Sequence, residues 1–303
     1  PDSNGSNLKK IISKKFNLNH KQLILGSGSD QIFELVCKAF LNPNDEVIVS
    51  KNSFILYRIY SKLNGAKVLF AKEKNFFTSV KNILSMVTRK TKIIFLANPN
   101  NPTGTYINKK EIIKLRNKLR SDILLVIDDA YFEYVNSSDF LSGLKLFSKR
   151  KNTVVTRTFS KIYGLAGLRV GWAYASKDII KSLEKIRPPF AINSPGLAAA
   201  ASALSDIKWL RKEINHINKW RNIMFDKFKK MKIETNKGNA NFLLINFDKV
   251  KISSRKVFQN LAKSGIIVRN MEAYKIKNSL RVTIGTTKEN KKFILKLGKI
   301  INV

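Results

Sequence analysis

Short apolar runs recur along this chain, each parted from the next by a segment of helical period. That alternation restricts the fold more than any other feature. Lys92-Ile93-Ile94-Phe95-Leu96-Ala97 is followed by a helical pattern over 108–119 and then by Ile123-Leu124-Leu125-Val126-Ile127. Upstream, Glu46-Val47-Ile48-Val49 and Lys67-Val68-Leu69-Phe70 flank a helix carrying Phe54, Tyr57, Ile59 and Tyr60. Strands that alternate with helices in this way predict an α/β fold around a largely parallel sheet.

The remaining elements fit the same scheme. Residues 7–16 read as a short amphipathic helix and Leu23-Ile24-Leu25 as a brief strand. That strand runs into Gly26-Ser27-Gly28-Ser29-Asp30, with a helix from about Gln31 to Phe40. Ser53 is placed to cap the next helix and Gly65 to end it, and residues 79–87 form another. Thr153 to Thr156 and Arg169 to Ala175 read as strands, residues 178–185 and those from about 195 as helices. A basic amphipathic helix over 207–230 passes from a large domain, 1–205, to a smaller α+β domain, 206–303. In the second part strands are expected at Phe242–Asn246, Ile266–Val268 and Ser279–Gly285, with a helix over 253–264 ended by Gly265. Thr286 and Glu289 form a capping box for the last helix.

Composition enters through charge. With 57 Lys+Arg against 21 Asp+Glu the formal net charge is +36, which admits nucleic-acid binding, anionic substrates or a biased genome. The lysines are scattered among Asn and Ile rather than gathered in a stripe, so a solvated surface is the preferred reading. Weak, non-specific binding of polyanions is expected in either case, with no specific nucleic-acid site. No apolar run reaches the ~20 residues of a membrane span, and no signal-peptide pattern is present. A single cysteine, Cys37, sits in an apolar helical pattern and reads as a buried structural thiol. It fits a reducing cytoplasm.

Three stretches carry chemistry. Asn98-Pro99-Asn100-Asn101-Pro102-Thr103-Gly104 closes an apolar strand with a rigid turn, at the sheet edge where α/β proteins bind ligands. Asp128 and Asp129 end another apolar strand, where neighbouring side chains point opposite ways and a buried carboxylate needs a cation or a strong donor. A protonated pyridine nitrogen would be one such partner; a helix cap or turn is the plain alternative. Thr158-Phe159-Ser160-Lys161 leads to Gly167-Leu168-Arg169-Val170-Gly171. Its hydroxyls and arginine suit a phosphate, its small residues allow close backbone approach, and Lys161 is read as the holder of an aldehyde cofactor. The glycine-rich turn at 26–30 suits a phosphate equally well as an ordinary N-cap by Ser29 or Asp30. His20 and His216 have no metal-ligand spacing, so no metal site is expected, and neither a Walker loop nor a GxGxxG follows a strand.

In this order and spacing, Asn98–Gly104, Arg157–Gly171, Arg187–Ser194 and Arg269–Gly285 resemble the fold-type I pyridoxal-phosphate aminotransferases. Within them the closest match is to the histidinol-phosphate aminotransferases, and it covers nearly the whole chain. The resemblance implies that Lys161 carries the cofactor aldehyde and moves the substrate proton. It implies that Asp128 keeps the pyridine nitrogen protonated, that Asn101 and Tyr131 bond the phenolic oxygen, and that Tyr57 stacks on the ring. The phosphate would lie against the main-chain amides of Ser29 and Asp30, the hydroxyls of Thr158 and Ser160, and Arg169. Arg281 and Arg269 would meet the acidic groups of histidinol phosphate and of glutamate or 2-oxoglutarate, in a homodimer with its sites at the interface. An aromatic-amino-acid aminotransferase or a phosphothreonine decarboxylase would use the same cofactor residues. A basic polyanion-binding protein on a dead scaffold is the reading from another class, and it would show a degraded cofactor site. Asp129 stands where the family has glutamate, Gln31 where an acidic residue is common, and the family's N-terminal arm is not found before Pro1.

Overall fold

The computed structural model describes residues 2–301. Its first half runs α1 (Ser6–Phe16), β1 (Leu23–Ser27), α2 (Gly28–Phe40), β2 (Glu46–Ser50), α3 (Ile55–Leu63), β3 (Lys67–Ala71), α4 (Val80–Ser85), β4 (Thr91–Ala97), α5 (Lys109–Lys118) and β5 (Leu124–Asp128). There follow α6 (Gly143–Phe147), β6 (Thr153–Thr158), β7 (Val170–Tyr174), α7 (Lys177–Ile186) and α8 (Ser194–Ser205). The chain closes with α9 (Ile207–Lys230), β8 (Glu234–Thr235), β9 (Phe242–Asn246), α10 (Ser254–Lys263), β10 (Arg269–Asn270), β11 (Ser279–Thr283) and α11 (Thr287–Ile301).

Seven strands form one sheet in the order β1-β7-β6-β5-β4-β2-β3. The pairs from β6 to β3 are parallel, and β7 runs antiparallel to both of its neighbours. Strands β2 and β5 are buried along their whole length, as expected of a sheet covered by helices on both faces. One face packs Ile24, Val47, Phe95 and Val126 against α2, α3 and α7; the other packs Leu25, Ile94, Leu125 and Val155 into the main core. Cys37 lies in the first of these layers, and burial pushes its thiol up to about 12. It is an inert packing residue.

A second sheet, β10-β11-β9-β8, is antiparallel throughout. α9, 24 residues long, spans roughly 36 Å at 1.5 Å per residue and packs against both sheets' surroundings. Its Arg221 donates to the Tyr134 and Ala240 carbonyls, both at 3.2 Å, so it staples the segment after β5 to the approach to β9. The capping box forms as read: Thr286 N–H donates to Glu289 Oε2 at 2.7 Å, and Glu289 N–H to Thr286 Oγ1 at 3.4 Å.

Three local expectations change. α2 begins at Gly28, inside the glycine-rich stretch, because Gly28 takes a left-handed φ of 73° and Gln31 Oε1 reaches back to accept Ser27 N–H at 2.8 Å. Ser53 does not cap α3; its hydroxyl donates to the Ser50 carbonyl, and Phe54 is the cap residue without a side-chain bond. Residues 266–268 are not a strand; pairing begins three residues later, at Arg269. Among the described residues no helix is long and apolar enough to cross a membrane, and no group of three or more His, Cys, Asp or Glu is placed to hold a metal.

Candidate active site

The strand registers converge on one row. Ala97 of β4 pairs with Asp128 of β5, Asp128 with Thr156 of β6, and Thr158 with Gly171 of β7. At the carboxyl ends of these strands lies a cavity whose wall includes Ser29, Asn101, Asp128, Tyr131, Lys161 and Arg169. Asp30, Thr158 and Ser160 also border it. Nine of the ten residues read as cofactor ligands therefore meet in one place, from segments up to 140 residues apart. The tenth does not.

Tyr57 is the correction. Its side chain is fully buried, its ring stacked on Phe95 at 4.8 Å and 3°, and its hydroxyl donates to Asp128 Oδ2 at 2.6 Å. It lies behind the cavity and cannot face a bound ring. The aromatic residue in the wall is Phe54, three residues earlier and edge-on to Tyr57 at 5.6 Å. Helical spacing identified the apolar positions of α3 but not that Phe54, as its cap, turns off the helix toward the strand ends.

Asp128 and Asp129 do take separate jobs. Asp129 faces away, accepting Gly143 N–H at 2.9 Å at the start of α6, with Arg157 3.9 Å distant. Arg157 lies over the Phe132 ring at 3.6 Å and donates to Ser142 Oγ at 3.1 Å. Burial pushes Asp129 up to about 7. Asp128 accepts three donors: Tyr57 at Oδ2, and Ala130 N–H (3.1 Å) and Thr156 Oγ1 (3.3 Å) at Oδ1. Desolvation nevertheless outweighs these bonds and raises its carboxyl to about 6. A buried anion held this way is poised for a cationic partner.

Another part of the cavity wall is a cup of groups suited to an anion. Ser29 and Asp30 occupy the first turn of α2, where backbone N–H groups have no helical acceptor. Gly171 packs so closely that a Cβ there would lie 2.3 Å from Ser29 N, and one at Gly28 would lie 2.3 Å from the Arg169 guanidinium. Arg169, itself left-handed at φ 54°, donates to Ser160 Oγ at 3.3 Å and pairs with Asp30 at 3.0 Å. Gln31 supplies its helix-start bond as a neutral amide, so it adds no negative charge to the cup.

Lys161 also lines the cavity. No protein acceptor lies within hydrogen-bonding reach of its Nζ among the described residues, and the nitrogen sits 5.4 Å from the centre of the Tyr131 ring. Arg281, on the second sheet, contacts the cavity wall through Asn101: its guanidinium hydrogen-bonds Asn101 Oδ1 and lies over the Phe242 ring at 4.8 Å. Its Nε is buried without a hydrogen-bond partner among the described residues. Arg269 is directly opposite Arg281 across the β10–β11 ladder, on the same face, with an exposed side chain. A wider cleft of about 830 Å³ between α1 and α7 is lined by cations such as Lys10 and Lys21. There Lys9 and Arg187 are already paired with Glu184 at 2.8 and 2.7 Å. Size does not mark the site; converging buried polar groups do.

Residues 4–297 match the family described as aminotransferase class I and II. A protein of Pelagibacter ubique named histidinol-phosphate aminotransferase is 51% identical over 303 residues, all of this chain and 84% of that protein. One of the same name from Paramagnetospirillum magneticum is 38% identical, covering 99% of this chain and 83% of its own. Among solved structures, histidinol-phosphate aminotransferase from Sinorhizobium meliloti, crystallised with pyridoxal-5'-phosphate, superposes with a TM-score of 0.92. It covers all of this chain and 83% of that one at 22% identity, a likeness of fold.

Proposed function

The chain belongs to the aminotransferase class I and II family, and on that premise we propose that it exchanges an amino group between histidinol phosphate and 2-oxoglutarate, giving imidazole acetol phosphate and glutamate. The observation that carries this reading is the 51% identity, over the whole chain, to a protein named for that activity. The donor set of the cavity supports the cofactor: a cup of groups suited to an anion, a buried carboxylate, and a lysine with no protein acceptor among the described residues.

Pyridoxal phosphate, when bound, supplies an electrophilic aldehyde and a ring that withdraws electrons from the substrate carbon. Lys161 would hold that aldehyde and, once displaced by substrate, would move the proton between the substrate carbon and the cofactor's C4′. The Asp128 carboxylate would hold the ring N–H⁺, and Asn101 and Tyr131 would bond the phenolic oxygen. Phe54, rather than Tyr57, would cover a ring face. Ser29 and Asp30 amides, the Thr158 and Ser160 hydroxyls and Arg169 would hold the phosphate; Asp30 would surrender its ion pair with Arg169 to it. Arg281 and Arg269 would take the substrates' acidic groups, since guanidinium matches carboxylate and phosphate alike.

The two sheets support a division into a cofactor domain, 1–205, and a smaller domain, 206–303, whose outermost residues lie outside those described. Exposed Ile186, Phe190, Ile207 and Trp209 support pairing of two copies into a homodimer, which sedimentation at micromolar concentration would test. The reaction itself is tested in two stages. Purified protein with pyridoxal phosphate should show a visible absorbance band that Lys161→Ala abolishes; without that band the cofactor reading fails. Rates with histidinol phosphate, phenylalanine and phosphothreonine then decide the substrate. A rate on phenylalanine well above that on histidinol phosphate would reject the substrate and leave the family standing.

A further inference from the structure

A carboxylate offers about four acceptor positions, two on each oxygen. At Asp128, Oδ1 takes two donors, Ala130 N–H and Thr156 Oγ1, whereas among the described residues Oδ2 takes only the Tyr57 hydroxyl. One position is left, on Oδ2, and Asp128 borders the cavity. The Tyr57 ring has no freedom to leave: it is stacked on Phe95, edge-on to Phe33 at 5.0 Å, and edge-on to Phe54 in the cavity wall.

We propose that Tyr57 is a positioning residue for Asp128: its phenol, sharing Oδ2 with whatever cation the cavity binds, fixes the carboxylate's orientation and keeps it an anion. This rests on the cofactor reading above and assigns Tyr57 a role other than ring stacking. The short bond at 2.6 Å is charge-assisted, the strongest ordinary class. Burial raises the pKa of both partners, and the phenol starts from the far higher value, so the proton stays on the phenol and the charge on the carboxylate. The other titratable or charged groups around Asp128 are Asp30 from α2, Asp129 and Tyr131 from the segment after β5, and Lys161 and Arg169 across the cavity. Asp30 and Asp129 oppose its ionisation, which makes the Tyr57 donor the more consequential.

Tyr57→Phe removes the hydroxyl and keeps the ring. Binding of pyridoxal phosphate, titrated by absorbance from pH 5 to 8, should weaken about tenfold near neutrality, the size expected for a lost bond to a charged group. The pH at which affinity falls off on the acid side should rise, and the apoprotein should lose some thermal stability above that pH, where the buried carboxylate is an anion short of a donor. Should the Phe variant fail to fold, 3-fluorotyrosine at position 57 keeps the shape and strengthens the donor, and should move that pH downward. Unchanged affinity and pH dependence in these variants, with Asp128→Asn still impaired, would overturn the role of Tyr57 and leave the cofactor site intact. Wild-type protein that binds no pyridoxal phosphate would sink both.

Discussion

Arg281 and Asn101, 180 residues apart, hydrogen-bond across the junction of the two sheets. Asn101 is held in the turn after β4, and Arg281 lies on β11 with its Nε buried and without a partner among the described residues. The arginine is thus tied to a residue of the cavity wall. Arg281→Lys keeps the charge but loses the planar fork. We expect kcat/KM for 2-oxoglutarate to fall roughly 10- to 100-fold, on the basis of about 1.5–3 kcal/mol for a bond to a charged group. Steady-state kinetics check this; a normal KM would remove Arg281 from the substrate site.

Arg169 and Asp30 form an ion pair whose side chains are 41% and 35% exposed, so solvent screens it and its share of stability is about 0–1 kcal/mol. Arg169→Ala should therefore leave the apoprotein's melting temperature within a few degrees of wild type. Affinity for pyridoxal phosphate should drop at least tenfold, whereas affinity for pyridoxal, which lacks the phosphate, should not change. Equal losses for both ligands would show that Arg169 does not read the phosphate.

Gly171 meets the backbone of α2 so closely that an added Cβ would lie 2.3 Å from Ser29 N and 2.4 Å from the Gly28 carbonyl carbon. Backbone cannot rotate away as a side chain can. Gly171→Ala should displace the first turn of α2, at a cost of about 1–3 kcal/mol by the scale of overpacked cores. Urea unfolding and cofactor titration should both register it, and a fully active, stable variant would contradict the contact.

Asp128 lends itself to a stability test against pH. Its folded value is raised from 3.8 to about 6, so its stabilising contribution is complete below the unfolded value and is lost as pH rises through 6. Two pH units correspond to on the order of 3 kcal/mol. Apoprotein carrying Asp128→Asn should gain on wild type by a substantial part of that above pH 7, with the difference closing toward pH 4. Urea midpoints at pH 4, 6 and 8 measure it, and a gap independent of pH would mean that the carboxylate is not strained by burial. The same variant should lose cofactor affinity, a cost in stability accepted for function.

What the sequence determined by itself is the part governed by local periodicity and local chemistry. Apolar runs of strand length separated by helical stretches specify a largely parallel sheet in an α/β fold, because burial on two faces and on one face leave different patterns. Asp128, Lys161, Arg169 and the turn at Asn101 were legible because each stands at the end of a strand, where ligands gather in such sheets. Only the tertiary structure decided how neighbours on one helix divide their work. Phe54 and Tyr57 are both aromatic positions of one segment, and periodicity cannot tell which meets the cavity and which meets Asp128 from behind. That choice depends on Phe95 and Asp128, from two other strands, and on the turn of the chain into α3. The pairs Arg169–Asp30 and Arg281–Asn101 were hidden for the same reason: their energies depend on distances set by chain segments more than a hundred residues apart, which no local pattern encodes.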